Sequence, residues 1–197
     1  MKNERNMKTQ VIVAVKILGV MTILTGILYP LLMTGLAQLA FPAKANGSLI
    51  WKDGKIKGSE LIGQKFDSSI YFWPRPSAID YNPIPSGGSN LGPDSEKLSK
   101  LVSERREYFM VKNFLVDTTT VPKEMVFASG SGLDPHISPE AALLQSERVA
   151  RSRNFTADQK KQLHQLIRSK TEEPQFSFLG ERRINVFVLN LELDNIR

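Results

Sequence analysis

The sequence predicts a single N-terminal transmembrane helix followed by one mixed α/β (α+β) domain outside the cytoplasm. Three observations predict it. Residues 11–29, VIVAVKILGVMTILTGILY, are apolar or small except for Lys16. Lys2, Arg5 and Lys8 precede that run, and little charge of either sign follows it before Lys44. The residues beyond carry the helix caps, turns and apolar periodicity of an ordinary globular domain, which the 197-residue length accommodates as one core.

As a helix rising about 1.5 Å per residue, the run 11–29 measures about 28 Å, close to the hydrocarbon thickness of a bilayer. Lys16 lies within two turns of its N-terminal end, where the long stem reaches the headgroups. The positive-inside rule then puts residues 1–10 in the cytoplasm of a cell (inner) membrane, a transmembrane helix over 11–30, and a soluble extracytoplasmic domain over 42–197. Pro30 is expected to end or kink the span, while the apolar run continues to about Phe41. A cleaved signal peptide competes, because Ala43-Lys44-Ala45 has the spacing of a cleavage site. The span exceeds the 7 to 15 residues of a signal core, however, and a second apolar run follows it. Gly19, Thr22 and Gly26 form a small-residue face on which a partner helix could pack.

The charge of the terminus also limits the function classes. Lys2, Arg5, Lys8 and Lys16 against Glu4 supply half of the formal net charge of +6. Residues 17–197 are thus only mildly basic and show no basic stripe with aromatics, which excludes a nucleic-acid footprint. The chain has no cysteine, so disulfides, thiol nucleophiles and Cys-based zinc sites are excluded.

The domain opens with a hairpin, residues 48–51 and 56–63 around the Asp53-Gly54 turn. Phe66–Pro76 reads as a short strand-like aromatic stretch. Residues 77–93 form a loop broken by Pro83, Pro85 and Pro93. From Asp94 to about Lys112, Leu98, Leu101, Val102, Tyr108 and Phe109 recur at helical steps behind Asp94 or Ser95 as N-cap. Val121–Ala128 reads as a strand. Ser138-Pro139-Glu140 supplies an N-cap, an N1 proline and an acidic first turn for a helix to about Asn154. Thr156 and Gln159 make a capping box for the next helix, whose inner face is Leu163, Leu166 and Ile167. Arg183–Leu193, RINVFVLNLEL, reads as a buried central strand.

Chemistry-bearing motifs are few. Ser129, Gly130, Ser131, Gly132, Asp134 and His136 cluster ahead of the Pro139 helix, but catalytic triads converge from separate elements and no G-x-S-x-G elbow is present. The cluster reads as a tight loop or partner contact, with an anion site at the helix N-terminus as the alternative. Gly58–Lys65 nearly copies a phosphate loop, yet its lysine comes one residue late and no Ser or Thr follows. His136 and His164 have no ligand spacing, so no metal site is expected. Asn46-Gly47-Ser48 and Asn154-Phe155-Thr156 match glycosylation sequons and read as a turn and a helix stop.

The segments YPLLMTGLAQLAFPAKANGSLI, GSELIGQKF, YFWPRPSA, SGGSNLGP, VFASGSGLDPHISPEAALLQSERVA and VFVLNLELD occur in an order that resembles the C-subunit family of Kdp potassium-transporting P-type ATPases. The resemblance covers almost the full length. It implies a non-catalytic accessory subunit that stabilises a high-affinity ATP-driven potassium uptake pump. The implied partners are a catalytic P-type ATPase subunit, a channel-like potassium-binding subunit and a small membrane subunit. It further implies a catalytic chaperone that raises ATP affinity through a ternary complex, with no tightly bound cofactor. On that reading Gln145 and Arg148 are candidate contacts for the nucleotide base or ribose and for phosphate. A membrane-anchored extracytoplasmic hydrolase is the alternative class, and it lacks a recognisable nucleophile.

Overall fold

A computed structural model describes residues 2–116 and 121–196, which form two compact units meeting in sequence at Lys57 and Gly58. In the first unit, α1 (Lys2–Ile23), a π turn (Leu24–Leu28) and α2 (Tyr29–Ala40) run on without a break. The segment Met7–Ala40 is long and apolar enough to cross a membrane, and none of its apolar window is buried by this chain. Of the two outcomes expected of Pro30, ending or kinking the span, the first does not occur, because the helix runs on through it. The Tyr29 amide donates to the Leu24 carbonyl five residues back, and the wider turn leaves room for the proline ring. A short α3 (Pro42–Ala45) follows.

The chain then enters a hairpin, β1 (Leu49–Lys52) and β2 (Lys55–Ser59). Asp53 and Gly54 both have positive φ, 55° and 70°, as the predicted two-residue turn requires. The second strand is shorter than expected, because the Ser59 hydroxyl and carbonyl accept from the amides of Leu61 and Ile62 and turn the chain away.

In the second unit the caps predicted from sequence are all made. Ser95 caps α4 (Glu96–Lys112), Ser138 caps α5 (Pro139–Ser152), and Thr156 with Gln159 forms the capping box of α6 (Ala157–Ser169). Leu163 and Ile167 of α6 are fully buried and Leu166 packs beside them, whereas only Phe109 of the predicted α4 face is buried. Asn154 ends α5 in the left-handed region, φ 54°.

Two predicted strands are not strands, and a third is one only over its first three residues. Residues 121–128 contain a 3-10 turn (Lys123–Met125), since Pro122 cannot donate to a ladder and its carbonyl accepts from Met125. Phe66–Pro76 is no strand: it turns at Ser68–Tyr71, where the Tyr71 amide donates to the Ser68 carbonyl, and it pairs with no strand. The run 183–193 is strand only over β5 (Arg183–Asn185), and Val186–Leu193 is a helix, α7. Asn185 makes the switch by accepting from the Val188 amide at 3.1 Å, while Val186 donates to Pro135. An apolar run without periodicity is equally compatible with a buried helix, and α7 is buried on most of its circumference. β5 is the centre of a small antiparallel sheet, flanked by β3 (His136–Ile137) and β4 (Thr171–Glu172), with Ile184 opposite Ile137 and Thr171. The core packs Ala141, Ala142 and Val149 of α5 against Leu163, Ile184, Leu189 and Phe72.

Asn185 also donates to the Glu60 carbonyl at 2.6 Å. Asn185→Ala in the full chain is expected to cost about 1–2 kcal/mol, a typical cap loss, read as a lower urea midpoint at unchanged slope.

Candidate functional site

The residues singled out from the sequence fall in three places. Gly19, Thr22 and Gly26 are exposed on the apolar helix, and a Cβ on either glycine would meet nothing within 4 Å. The other two places lie in the second unit.

Gln145 and Arg148 sit on α5 at an i, i+3 spacing, which puts them on one face. That face meets the unpaired stretch Ser69–Trp73. Gln145 accepts from the Trp73 amide at 2.7 Å and donates to the Trp73 carbonyl at 3.2 Å. Asn190 of α7 treats Phe72 in the same way, at 2.8 and 2.9 Å. Two side-chain amides thus replace the missing sheet neighbour of two consecutive residues. Arg148 completes the bracket: Nη1 donates to the carbonyls of Ser69 and Tyr71, Nη2 to Gln145 and Nε to Asn113. Its guanidinium lies 3.8 Å from the centroid of the Trp73 ring. Burial pushes Arg148 down to about 10, which leaves it charged at neutral pH, and among the described residues no carboxylate forms an ion pair with it. Gln145 is wholly buried and Arg148 nearly so. A ligand therefore reaches the Gln145 amide only if Phe72 and Trp73 lift away.

Ser129–His136 forms the third place, a junction of loops in which glycine is required by close approach. Gly63 donates to the Leu133 carbonyl at 2.7 Å, and Gly87 to that of Ser131 at 3.0 Å. A Cβ at Gly88 would lie 2.9 Å from the Gly130 oxygen, and one at Gly132, φ 70°, would lie 2.5 Å from Ile79. Asp134 ties the junction together. One carboxylate oxygen takes the Arg75 guanidinium at 2.7 Å; the other takes the His136 amide at 3.0 Å and faces its Nδ1 at 3.2 Å. Burial alone would raise the Asp134 carboxyl, but the His136 side-chain and backbone bonds and the Arg75 charge outweigh it and hold the group down at about 2.

Ser129 is buried, and its hydroxyl accepts from the Asp134 amide at 3.5 Å, the long limit for a hydrogen bond. The order of contacts is therefore not that of a nucleophile, base and acid. An open groove of about 730 Å³ passes Arg75, Asp134, His136 and Arg183. Its arginines are paired, Arg182 with Glu173 and Arg183 with Glu172, so the groove offers an anion little net charge. Among the described residues no group of three acidic or histidine side chains is placed to hold a metal.

Two features escaped sequence reasoning. An aromatic cleft of about 450 Å³ is lined by Phe66, Trp73, Tyr81, Tyr108 and Arg105, with Trp73 stacked on Tyr108 at 5.4 Å. Phe176 and Phe178 stand 81% and 74% exposed at the tip between β4 and β5. The first depends on loop packing that no local pattern encodes. The second was signalled by the exposed polar surroundings of two aromatics in EEPQFSFLGERR.

The family described as "K+-transporting ATPase, c chain" matches residues 11–195. The chain is 50% identical over 187 residues to the potassium-transporting ATPase KdpC subunit of Methylococcus capsulatus, covering 93% of this chain and 96% of the relative. It is 45% identical to the subunit of the same description from Leptospira interrogans, covering 93% and 92%. To that of Mycobacterium bovis it is 46% identical, covering 96% and 100%.

Gln145→Ala strands the Trp73 amide and carbonyl inside the domain, at an expected cost of about 2–5 kcal/mol by denaturant titration of the full chain in detergent. Asp134 stabilises the fold fully above its unfolded value of about 3.8, and that contribution disappears as pH falls toward 2. Asp134→Asn is expected to lower stability at pH 6 and to flatten its decline between about pH 4 and 2, measured by chemical denaturation at each pH.

Proposed function

The chain belongs to the KdpC family, the c chain of K+-transporting ATPases, and from that premise we propose that it is the membrane-anchored subunit that stabilises a high-affinity potassium uptake pump. A subunit of this family is not itself catalytic, in keeping with the contacts of Ser129, Asp134 and His136. The observation that carries the proposal is the family match over 11–195 joined to an apolar helix, Met7–Ala40, whose apolar window this chain does not bury. Such a helix requires lipid or the helices of other subunits around it. The partners are the catalytic P-type ATPase, a channel-like potassium subunit and a small membrane subunit. The basic N-terminus faces the cytoplasm and residues 42–197 lie outside.

The rise in ATP affinity belongs to the same proposal and acts through subunit contacts. What supports this is the state of Gln145 and Arg148, whose polar atoms are spent on Ser69–Trp73 and Asn113. These two residues then serve nucleotide affinity by holding the domain in shape, with no nucleotide bound to them.

Purification of the chain through a C-terminal tag in mild detergent is expected to bring with it a P-type ATPase and a channel-like subunit, and potassium-stimulated ATPase activity. A lone, stable chain would overturn the proposal. With no native cysteine, Ala45→Cys is expected to react with an impermeant maleimide on intact cells. Labelling only after lysis would reverse the orientation.

A further inference from the structure

The π turn leaves main-chain carbonyls without donors in the middle of the apolar helix. The Leu24 carbonyl takes the Tyr29 amide, and regular four-residue bonding resumes with α2. Between those points lie the carbonyls of Thr25, Gly26 and Ile27. Pro30 has no amide hydrogen, so only the Leu31 amide remains to serve the three. Two carbonyls therefore lack a donor of their own. The nearest side-chain donor is already used, since the Thr25 hydroxyl donates to Met21 at 2.7 Å. Leu24–Leu28 lies inside Met7–Ala40 and inside the span 11–30 expected from the sequence, and lipid tails around such a segment offer no hydrogen bond. All side chains here are exposed, and a Cβ at Gly26 would meet nothing within 4 Å, so the backbone is open to approach.

We infer that this turn is a hydrogen-bond acceptor site inside the bilayer, filled by a hydroxyl, amide or ammonium donor on a helix of another pump subunit. The inference rests on the membership in a pump complex proposed above. Unpaired carbonyls in hydrocarbon select for a polar donor, which distinguishes this contact from simple packing of small residues. The occupant is a different subunit because membership in the pump brings helices of other subunits to a span whose apolar window this chain does not bury.

Pro30→Ala restores the missing amide and lets the helix satisfy itself. The variant is expected to insert in the membrane as well as wild type, checked by carbonate extraction. Its retention on the complex at rising detergent should fall on the order of threefold to tenfold, the worth of about one interhelical hydrogen bond. Unchanged retention overturns the inference, whereas failure of the wild-type chain to co-purify overturns the complex membership instead. A photo-crosslinking residue at Ile27, with Pro30 intact, gives a second reading. An adduct with another subunit supports the site; an adduct with a second copy of this chain, or with lipid alone, overturns it.

Discussion

The second unit depends on its treatment of Phe72 and Trp73. These residues are buried in extended backbone with no neighbouring strand, and a buried amide or carbonyl without a partner costs about 1–3 kcal/mol. Gln145 and Asn190 each supply one donor and one acceptor in the geometry of a missing strand. Because the two amides come from α5 and α7, the aromatic stretch joins two helices that are themselves packed on α6 and the small sheet. Arg148 adds the carbonyls of Ser69 and Tyr71, and at the surface Arg153 adds that of Ile70 while pairing with Asp194. Each of the five carbonyls from Ser69 to Trp73 is thereby claimed by a side chain from elsewhere in the fold.

This explains which parts of the fold could be read from the sequence. Caps and tight turns are encoded locally, so Ser95, Ser138, the Thr156–Gln159 box and the Asp53-Gly54 turn were legible. Strand against helix in an apolar run is decided by what surrounds it. Residues 186–193 lacked periodicity because α7 is enclosed, and the polar Asn185 and Asn190 within the run were the only local signs of its cap and of its docking amide. The stretch Phe66–Pro76 carried strand composition without a strand partner, since its partners are side chains far off in sequence.

The site residues divide in the same way. The glycines and Asp134 of the 129–136 loop were legible as a tight turn, and the structure adds that the turn closes on Gly63, Gly87 and Gly88, which no spacing rule relates to it. Gln145 and Arg148 were candidates only for the nucleotide contact that the family resemblance implies, and the tertiary packing shows that they act together on the backbone of Trp73 and its neighbours.

The makeup of the bracket has a bearing on the surroundings the domain tolerates. Its buried members are three neutral amides, of Gln145, Asn190 and Asn113, a set of backbone dipoles and a guanidinium stacked on an indole; among the described residues the carboxylate nearest this set, Asp194, pairs with Arg153 at the surface. Ions in solution weaken contacts between exposed charges over about 10 Å at 0.1 M, but reach buried dipoles much less. A shift in ionic strength therefore leaves this framework nearly untouched while loosening surface pairs such as Lys65–Asp80 and Lys161–Asp158. The interior is thus built to keep one shape across the salt conditions that its own surface registers.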